Sequence, residues 1–344
     1  MDALVVEPGV AHSARVERVS PPREDGVRVR VLEVGICGTD REISEGLFGA
    51  APDGEATLVL GHELLGRVDD DGHGFLRGDL VTATVRRSCG RCVACAEGSP
   101  DACLTGDYAE RGITRLHGFA REAVVEDPAQ LIPVPRELGR LGVLAEPASV
   151  CVRAIRHARA IGGRQPWRLE RALVIGGGAV GMLATIFLRL GGIDVTTASL
   201  EPANAVADGV GARYVSTVAT PLAELGRFDL VLEAAGNAQA MAATLGLLRR
   251  GGVACLLGID PRRQQVAVDG RTLGVDTILE NRVLFGSVNA HRQDYLAAVA
   301  DLARARTAWP DALDLLVALR VPLDRFADAF AHRGGKATLV LDEL

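Results

Sequence analysis

Four cysteines stand close together at Cys89, Cys92, Cys95 and Cys103, with the spacing C-x2-C-x2-C-x7-C. The surrounding stretch is rich in glycine, proline and polar residues and reads as a loop. The chain opens Met1-Asp2-Ala3-Leu4-Val5-Val6, with no basic stretch and no long apolar core, so no secretory signal is expected. Clustered thiols in such a chain read as zinc ligands rather than disulfides. Four thiolates close a tetrahedral shell and leave no open position, which predicts a structural zinc in preference to an iron–sulfur cluster. Of the other three cysteines, Cys151 and Cys255 lack ligand-like neighbours and read as small core residues.

A second group is Gly176-Gly177-Gly178-Ala179-Val180-Gly181, which follows the apolar run Ala172-Leu173-Val174-Ile175. The pattern is G-x-G-x-x-G in a strand–turn–helix setting. Gly176 permits a tight turn, Gly178 lets the backbone approach a pyrophosphate, and Gly181 lets helix and strand pack closely. The helix that opens at Ala179 and Val180 offers free N–H groups to phosphate. About twenty residues on, where an acidic side chain binds the ribose 2′-hydroxyl, the sequence is Thr196-Thr197-Ala198-Ser199-Leu200-Glu201. No carboxylate sits at the expected strand end, and no arginine follows at once. Losing the acid removes the repulsion against a 2′-phosphate, so NADP is expected, with NAD as the alternative through Ser199 and Glu201.

The third group is dispersed: Cys37 in Gly-Ile-Cys-Gly-Thr-Asp, His62 and Glu63 in Gly-His-Glu, and Glu146 before Pro147. One cysteine, one histidine and one or two carboxylates make an open zinc site with a position left for a substrate oxygen. The His-Glu pair lacks a second histidine four residues on, so it is not a zinc-protease helix. Spacing alone also allows a buried cysteine beside an unrelated surface pair.

The elements that must hold these groups divide the chain in two. Residues 1–150 carry short strand-like runs broken by glycine and proline. Val27-Arg28-Val29-Arg30-Val31 alternates with period two, and runs at 58–60, 79–85 and 123–125 add further strands. Residues 151–288 alternate strand and helix: strands at 172–175, 194–198, 229–233, 253–257 and 283–288, and helices at 180–190 and 241–248. That order predicts a doubly wound parallel sheet, an α/β class. Residues 289–344 read as helical until a strand at 337–341 and are expected to pack back on the first domain. At 344 residues, two domains are the natural division. The net charge of −6 argues against a nucleic-acid partner, and the glycine-broken run Ala172–Leu188 argues against a membrane span. Of 38 basic residues only Lys336 is a lysine, read here as genome composition. A soluble cytoplasmic protein is the default.

Taken together and in order, these motifs resemble the zinc-dependent medium-chain dehydrogenase/reductase superfamily. The carriers are Gly35-x-Cys37-Gly38-Thr39-Asp40, Gly61-His62-Glu63-x-x-Gly66-x-Val68, Gly78-Asp79-x-Val81, the four-cysteine lobe, Glu146-Pro147 and the glycine loop. Within it the glucose 1-dehydrogenase (aldose dehydrogenase) branch is most similar, through Cys37–Glu42, Leu58–Glu63, Glu110-Arg111-Gly112-Ile113, His117-Gly118-Phe119, Glu280-Asn281 and Phe285–Asn289. The resemblance implies a GroES-like catalytic domain plus a Rossmann domain, one catalytic and one structural zinc, NADP or NAD, and a homodimer or homotetramer. It implies hydride transfer from C1 of an aldose, with zinc held by Cys37, His62 and one or both of Glu63 and Glu146. Thr39 would take the hydroxyl proton, Arg41 or Glu42 would stand on its way out, and Asp40 would orient His62. Glu110, Glu146 and Asn289 would bind sugar hydroxyls; otherwise Glu110 is a loop salt bridge and Asn289 a strand-end cap. The nearest alternative keeps the fold and takes a polyol, cyclitol or secondary-metabolite sugar, as a dehydrogenase or as a ketone reductase. A non-catalytic NADP-binding protein is an alternative of another class, against which the retained Cys37, His62 and Glu63 speak.

Overall fold

The computed structural model describes residues 1–22, 25–262 and 264–344. They form two compact units. The first comprises residues 1–149, 289–303 and 317–344, and the second residues 150–288 and 304–316.

The first unit is built on a seven-stranded sheet. Its main path runs Leu131–Pro133, Leu80–Ala83, Glu63–Val68, Val27–Ile36, Lys336–Val340 and Val317–Pro322, and Ala123–Glu126 pairs with the start of the long strand. The long strand Val27–Ile36 explains the layout. Its first half buries Val27, Val29 and Val31 and exposes Arg28 and Arg30, as period-two alternation requires. Its second half is buried on both faces, because strands flank it on either side and helices and loops cover it. The core gathers Leu4, Val29, Val34, Leu60, Leu64, Val81, Phe119 and Leu339. A smaller sheet pairs Asp2–Val6 with Arg15–Arg18 and with Leu58–Val59.

The second unit is a six-stranded sheet in the order Arg213–Ser216, Asp194–Ser199, Arg171–Ile175, Phe228–Glu233, Leu248–Leu256 and Val283–Gly286, with every neighbouring pair parallel. The central strands are buried on both faces, hence their continuous apolar runs. The helix Ala179–Leu190 buries every residue from Gly181 to Leu188. The run from Ala172 to Leu188 is therefore a buried strand, a turn and a buried helix. No helix among the described residues is long and apolar enough to cross a membrane.

Several boundaries depart from expectation. The C-terminal segment is not uniformly helical before its last strand: Val317–Pro322 is a strand, paired in parallel with Lys336–Val340. Residues 304–316, expected with the first unit, group with the second, where the helix Ala312–Leu316 buries Leu313 and Leu316 against the helix Ala205–Gly209. The helix expected at 241–248 begins at Ala238 and ends as a 3-10 turn through Leu247.

Candidate active site

The antiparallel registers bring three strand ends together. Gly35 stands opposite Glu63, and Ile36 stands opposite Ala337, so the C-terminal end of the long strand meets the starts of Glu63–Val68 and Lys336–Val340. Cys37, His62, Glu63 and Lys336 all lie at this junction. Glu146 joins them from the first turn of the helix Ala145–Gly162.

Cys37 is the N-cap of the short helix Gly38–Ser44. Its sulfur accepts the Thr39 N–H at 3.2 Å, while its own N–H donates to Asp40 Oδ2 at 2.9 Å. Cys37 Sγ lies 3.1 Å from His62 Nε2, and His62 Nδ1 lies 3.4 Å from Asp40 Oδ1. Burial pulls the basicity of His62 down, but the Cys37 and Asp40 charges outweigh it and hold the imidazole well above its ordinary value. Burial, with Glu63 and Asp40 nearby, pushes Glu146 up to about 7. His62, Glu63 and Glu146 each offer a ligand atom within 4.8 Å of the others, as do Cys37, Asp40 and His62. Glu63 Oε2, Asp40 Oδ1 and His62 Nδ1 are buried without a hydrogen-bond partner among the described residues. Thiol, imidazole and carboxylates crowded in a dry pocket with orphaned acceptors are a donor set that a divalent cation completes.

Of the remaining expected residues, Thr39 and Glu42 lie half-buried on the Gly38–Ser44 helix. Arg41 instead donates to the carbonyls of Ala329, Phe330 and His332, at the end of the helix Phe326–Ala331. Glu110 Oε1 accepts from Arg86 Nε at 2.9 Å and from Asn289 Nδ2 at 2.8 Å. Asn289 has φ +62°, a left-handed corner suited to asparagine, and its Oδ1 accepts the Ala290 N–H. Glu110 therefore forms a buried ion pair and Asn289 does cap a corner, and the two meet each other. Glu110 also lines a recess of about 440 Å³ with Phe48, Tyr108, Thr114 and Arg115.

Two neighbours escaped the sequence reading. Arg86 carries no motif, yet its guanidinium lies 3.8 Å from the Tyr108 ring centroid and holds Glu110. Lys336 is 2% exposed, with its Nζ 2.5 Å from Glu63 Oε1. Its signal was in view: a single lysine among 38 basic residues is a residue that arginine has not replaced.

The four-cysteine lobe winds through the short helix Val93–Ala96, capped by Cys92, and a 3-10 turn at Pro100–Ala102. All four sulfurs lie within 4.8 Å of one another, with Cys89 and Cys95 at 3.7 Å. A tetrahedron with zinc–sulfur bonds of about 2.3 Å has edges of about 3.8 Å, so the lobe fits the ion. None of the cysteines is in a disulfide.

In the second unit the glycine loop joins the strand Arg171–Ile175 to the helix Ala179–Leu190. Gly176 has φ +122° and Gly178 caps the helix without a side chain, leaving open space where a Cβ would stand. A Cβ on Gly181 would fall 2.0 Å from Gly176 O, which explains the third glycine. Open backbone at an uncapped helix start fits a pyrophosphate. Ser199 donates to Glu201 Oε2 at 2.5 Å, and a Cβ on Gly177 would lie 3.3 Å from that oxygen. The Ser199 hydroxyl keeps the Glu201 carboxyl below its ordinary value and hence charged.

Comparison with known proteins agrees with this geometry. The alcohol dehydrogenase GroES-like domain family matches residues 23–136, and the glucose dehydrogenase C-terminus family matches residues 139–342. The chain is 38% identical to a glucose 1-dehydrogenase of Methanocella arvoryzae over 94% of both chains, and 37% identical to one of Thermoproteus tenax over 99% of both. It superposes with a TM-score of 0.91, at 30% identity and over the full length of both chains, on a Haloferax mediterranei glucose dehydrogenase solved with NADP, Zn and gluconolactone. On the strength of both domain matches and of full-length relatives, the chain belongs to the zinc-type medium-chain dehydrogenases, in their glucose dehydrogenase branch.

Proposed function

We propose that this protein oxidises an aldose of the glucose type at C1, giving the lactone and reducing NADP, with NAD as the alternative coenzyme. The observation that carries the reading is the gathering of half-buried Cys37 and buried Glu63 and Glu146 around His62, in a chain similar over its whole length to glucose 1-dehydrogenases. Those residues would hold a zinc ion, which would supply Lewis-acid polarisation at the C1 hydroxyl, and a bound nicotinamide would supply the hydride acceptor. The chain's own residues do the rest. The Thr39 hydroxyl takes the proton from the C1 hydroxyl, and Glu42 stands on the same helix to carry it onward. Asp40 fixes the tautomer and tilt of His62. Glu110 and Asn289, with Glu146, pair the sugar hydroxyls, whose many donors need partners on leaving water. Gly176, Gly178, Ala179, Val180 and Gly181 would hold the pyrophosphate, and Ser199 and Glu201 would meet the adenosine ribose. The second zinc, in the four-cysteine lobe, is structural.

Free cysteines fit a reducing, cytoplasmic setting. A homodimer or homotetramer is the assembly proposed, to be checked by light scattering. The decisive experiment offers aldoses, polyols and cyclitols to the zinc-loaded protein and follows reduction of NADP and NAD. Turnover of glucose, galactose or xylose is the expected result. Silence on aldoses from a folded protein with two zincs per chain overturns the substrate assignment, and turnover of a polyol or cyclitol replaces it.

A further inference from the structure

Two backbone carbonyls of the four-cysteine lobe, three residues apart, each accept a side chain that leads to Glu110 or Asn289. The first is Asp101 O, in the 3-10 turn Pro100–Ala102. It accepts from a terminal guanidinium nitrogen of Arg86 at 2.8 Å, while Arg86 Nε donates to Glu110 Oε1 at 2.9 Å. Arg86 and Glu110 stand directly opposite each other in the antiparallel pairing of Arg86–Arg87 with Ala109–Arg111, so their side chains share one face. The second carbonyl is Gly98 O, 2.8 Å from His291 Nε2. His291 Nδ1 accepts the Gln293 N–H at 3.1 Å, so the ring proton sits on Nε2 and is donated to Gly98. Two residues before His291, Asn289 Nδ2 donates to the same Glu110 Oε1 at 2.8 Å. The contacts close a ring that runs from the lobe through Arg86, Glu110, Asn289 and His291 back to the lobe. Arg86, Glu110 and Asn289 are buried. Among the described residues, the side-chain hydrogen bonds to Glu110 fall on Oε1, which leaves Oε2 for another donor.

Deepening the proposed function, and resting on it, we propose that Arg86 and His291 are positioning residues through which the four-cysteine lobe sets the affinity for sugar. Arg86 suits the part because its planar fork aims donors in fixed directions, one at the lobe and one at the carboxylate. Its guanidinium carbon lies 3.8 Å from the Tyr108 ring centroid, and that stacking holds the plane of the fork. A carboxylate fixed at one oxygen presents the other in a single direction, as recognition of a hydroxyl requires. The lobe has little regular structure of its own, a four-residue helix and a three-residue turn. Its sulfurs therefore decide where Gly98 O and Asp101 O stand, and loosening them reaches Glu110 and Asn289 together. No member of the ring is among the donors gathered around His62. The effect belongs to KM for the sugar and leaves kcat nearly unchanged, as removal of uniform binding does.

Amide hydrogen exchange reads the coupling without sugar or coenzyme. The N–H groups of Glu110, Arg111, Ala290 and His291 are all hydrogen-bonded. In Cys92→Ala, held well below its melting temperature, they should exchange about tenfold faster than in the wild type, while the strand Arg171–Ile175 is unchanged. Faster exchange confined to residues 89–103 overturns the proposal. In turnover, Arg86→Lys keeps the charge but loses the fork, and should raise KM for glucose about tenfold with kcat within about threefold and KM for NADP unaltered. A fall in kcat at unchanged glucose KM overturns the proposal. On a Glu110→Gln background, Arg86→Lys should cost less than about twofold more, because it acts through that carboxylate, and a further tenfold would show that it does not. His291→Ala should raise the glucose KM about fivefold, and His291→Gln, whose amide offers a donor to Gly98, should restore most of it. The His291 pair carries the kinetic test if Arg86→Lys does not fold. A wild type that turns over no aldose overturns the proposed function and the sugar half of this proposal, while the exchange rates still decide whether the lobe holds the pair. Turnover of glucose with unmoved exchange and unmoved KM overturns this proposal alone.

Discussion

Cys37 offers its sulfur from a helix N-cap, 3.1 Å from His62 Nε2, with Asp40 bracing both residues. Cys37→Ala removes the softest of the proposed metal ligands without opening the sheet, since the residue lies just beyond the long strand. The variant should retain one zinc per chain instead of two and keep its melting temperature within a few degrees. It should lose several kcal/mol of transition-state stabilisation, about a thousandfold in kcat/KM. Metal analysis with steady-state kinetics checks this, and full activity would disprove the assignment. At this scale the sequence was readable where a residue type is chemically rare. The four cysteines stand together as their type and spacing lead one to expect, whereas Cys37 and His62 were linked only through the family resemblance, since spacing alone left them open. Lys336 and Glu63 are far apart in the chain and meet only through the register of two strands against a third, which no local pattern encodes. Arg86 looks like any surface arginine until folding places it beside Glu110.

The glycine loop and the end of the next strand act together as an element. Gly177 and Glu201 face each other closely enough that a Cβ on the glycine would sit 3.3 Å from the carboxylate. The Ser199 hydroxyl keeps that carboxylate charged. With Glu201 placed beside the adenosine ribose, as proposed, its charge would accept a 2′-hydroxyl and work against the 2′-phosphate, so it would limit the preference for NADP and keep NAD usable. Glu201→Gln keeps the size and removes the charge, so the NADP-to-NAD ratio of kcat/KM should rise about tenfold, which is about 1.4 kcal/mol. Dissociation constants for both coenzymes, measured separately, should shift in the same sense, and an unchanged ratio would show that Glu201 does not face the ribose. The cysteine lobe behaves oppositely. Cys92 caps its short helix as well as supplying a sulfur, and a closed zinc shell contributes directly to folding. Cys92→Ala should therefore lower the melting temperature by about 5–10 °C and release one zinc, while the kcat of the folded fraction changes little. Unchanged melting would count against a structural ion. The long apolar and alternating segments were legible as elements because their periods are unambiguous, as in 27–31 and 172–190. The strand Val317–Pro322 was not, because Val-Ala-Leu-Arg-Val-Pro follows a leucine-rich helix without a glycine, and so short a run fits either period.

At the scale of the whole molecule, the chain leaves its first unit near residue 149 and returns for residues 289–303 and 317–344. The return is not peripheral: the strand Lys336–Val340 lies inside the seven-stranded sheet, between the long strand and Val317–Pro322. A general order of strand-rich then alternating segments predicts two domains, but which late residues rejoin the first is decided by side chains. Glu33 is the anchor. It is fully buried on the long strand and pairs with Arg140 at 3.1 Å, with Arg320 at 3.0 Å and with the Thr338 hydroxyl at 2.5 Å. Two of those partners lie in the two returning strands. Glu33→Ala leaves Arg140 and Arg320 without their shared carboxylate, but both guanidinium groups keep access to water, so the loss should be about 1–3 kcal/mol. The unfolding midpoint in urea should fall accordingly. Because the loosened strand is the one that presents Lys336, sensitivity to chelators should rise together with sensitivity to urea, although Glu33 touches neither metal site. A Glu33→Ala protein with a lowered midpoint but wild-type zinc retention would mean that the returning strand stays seated without its anchor, held by Ala337 and Leu339 in the core alone.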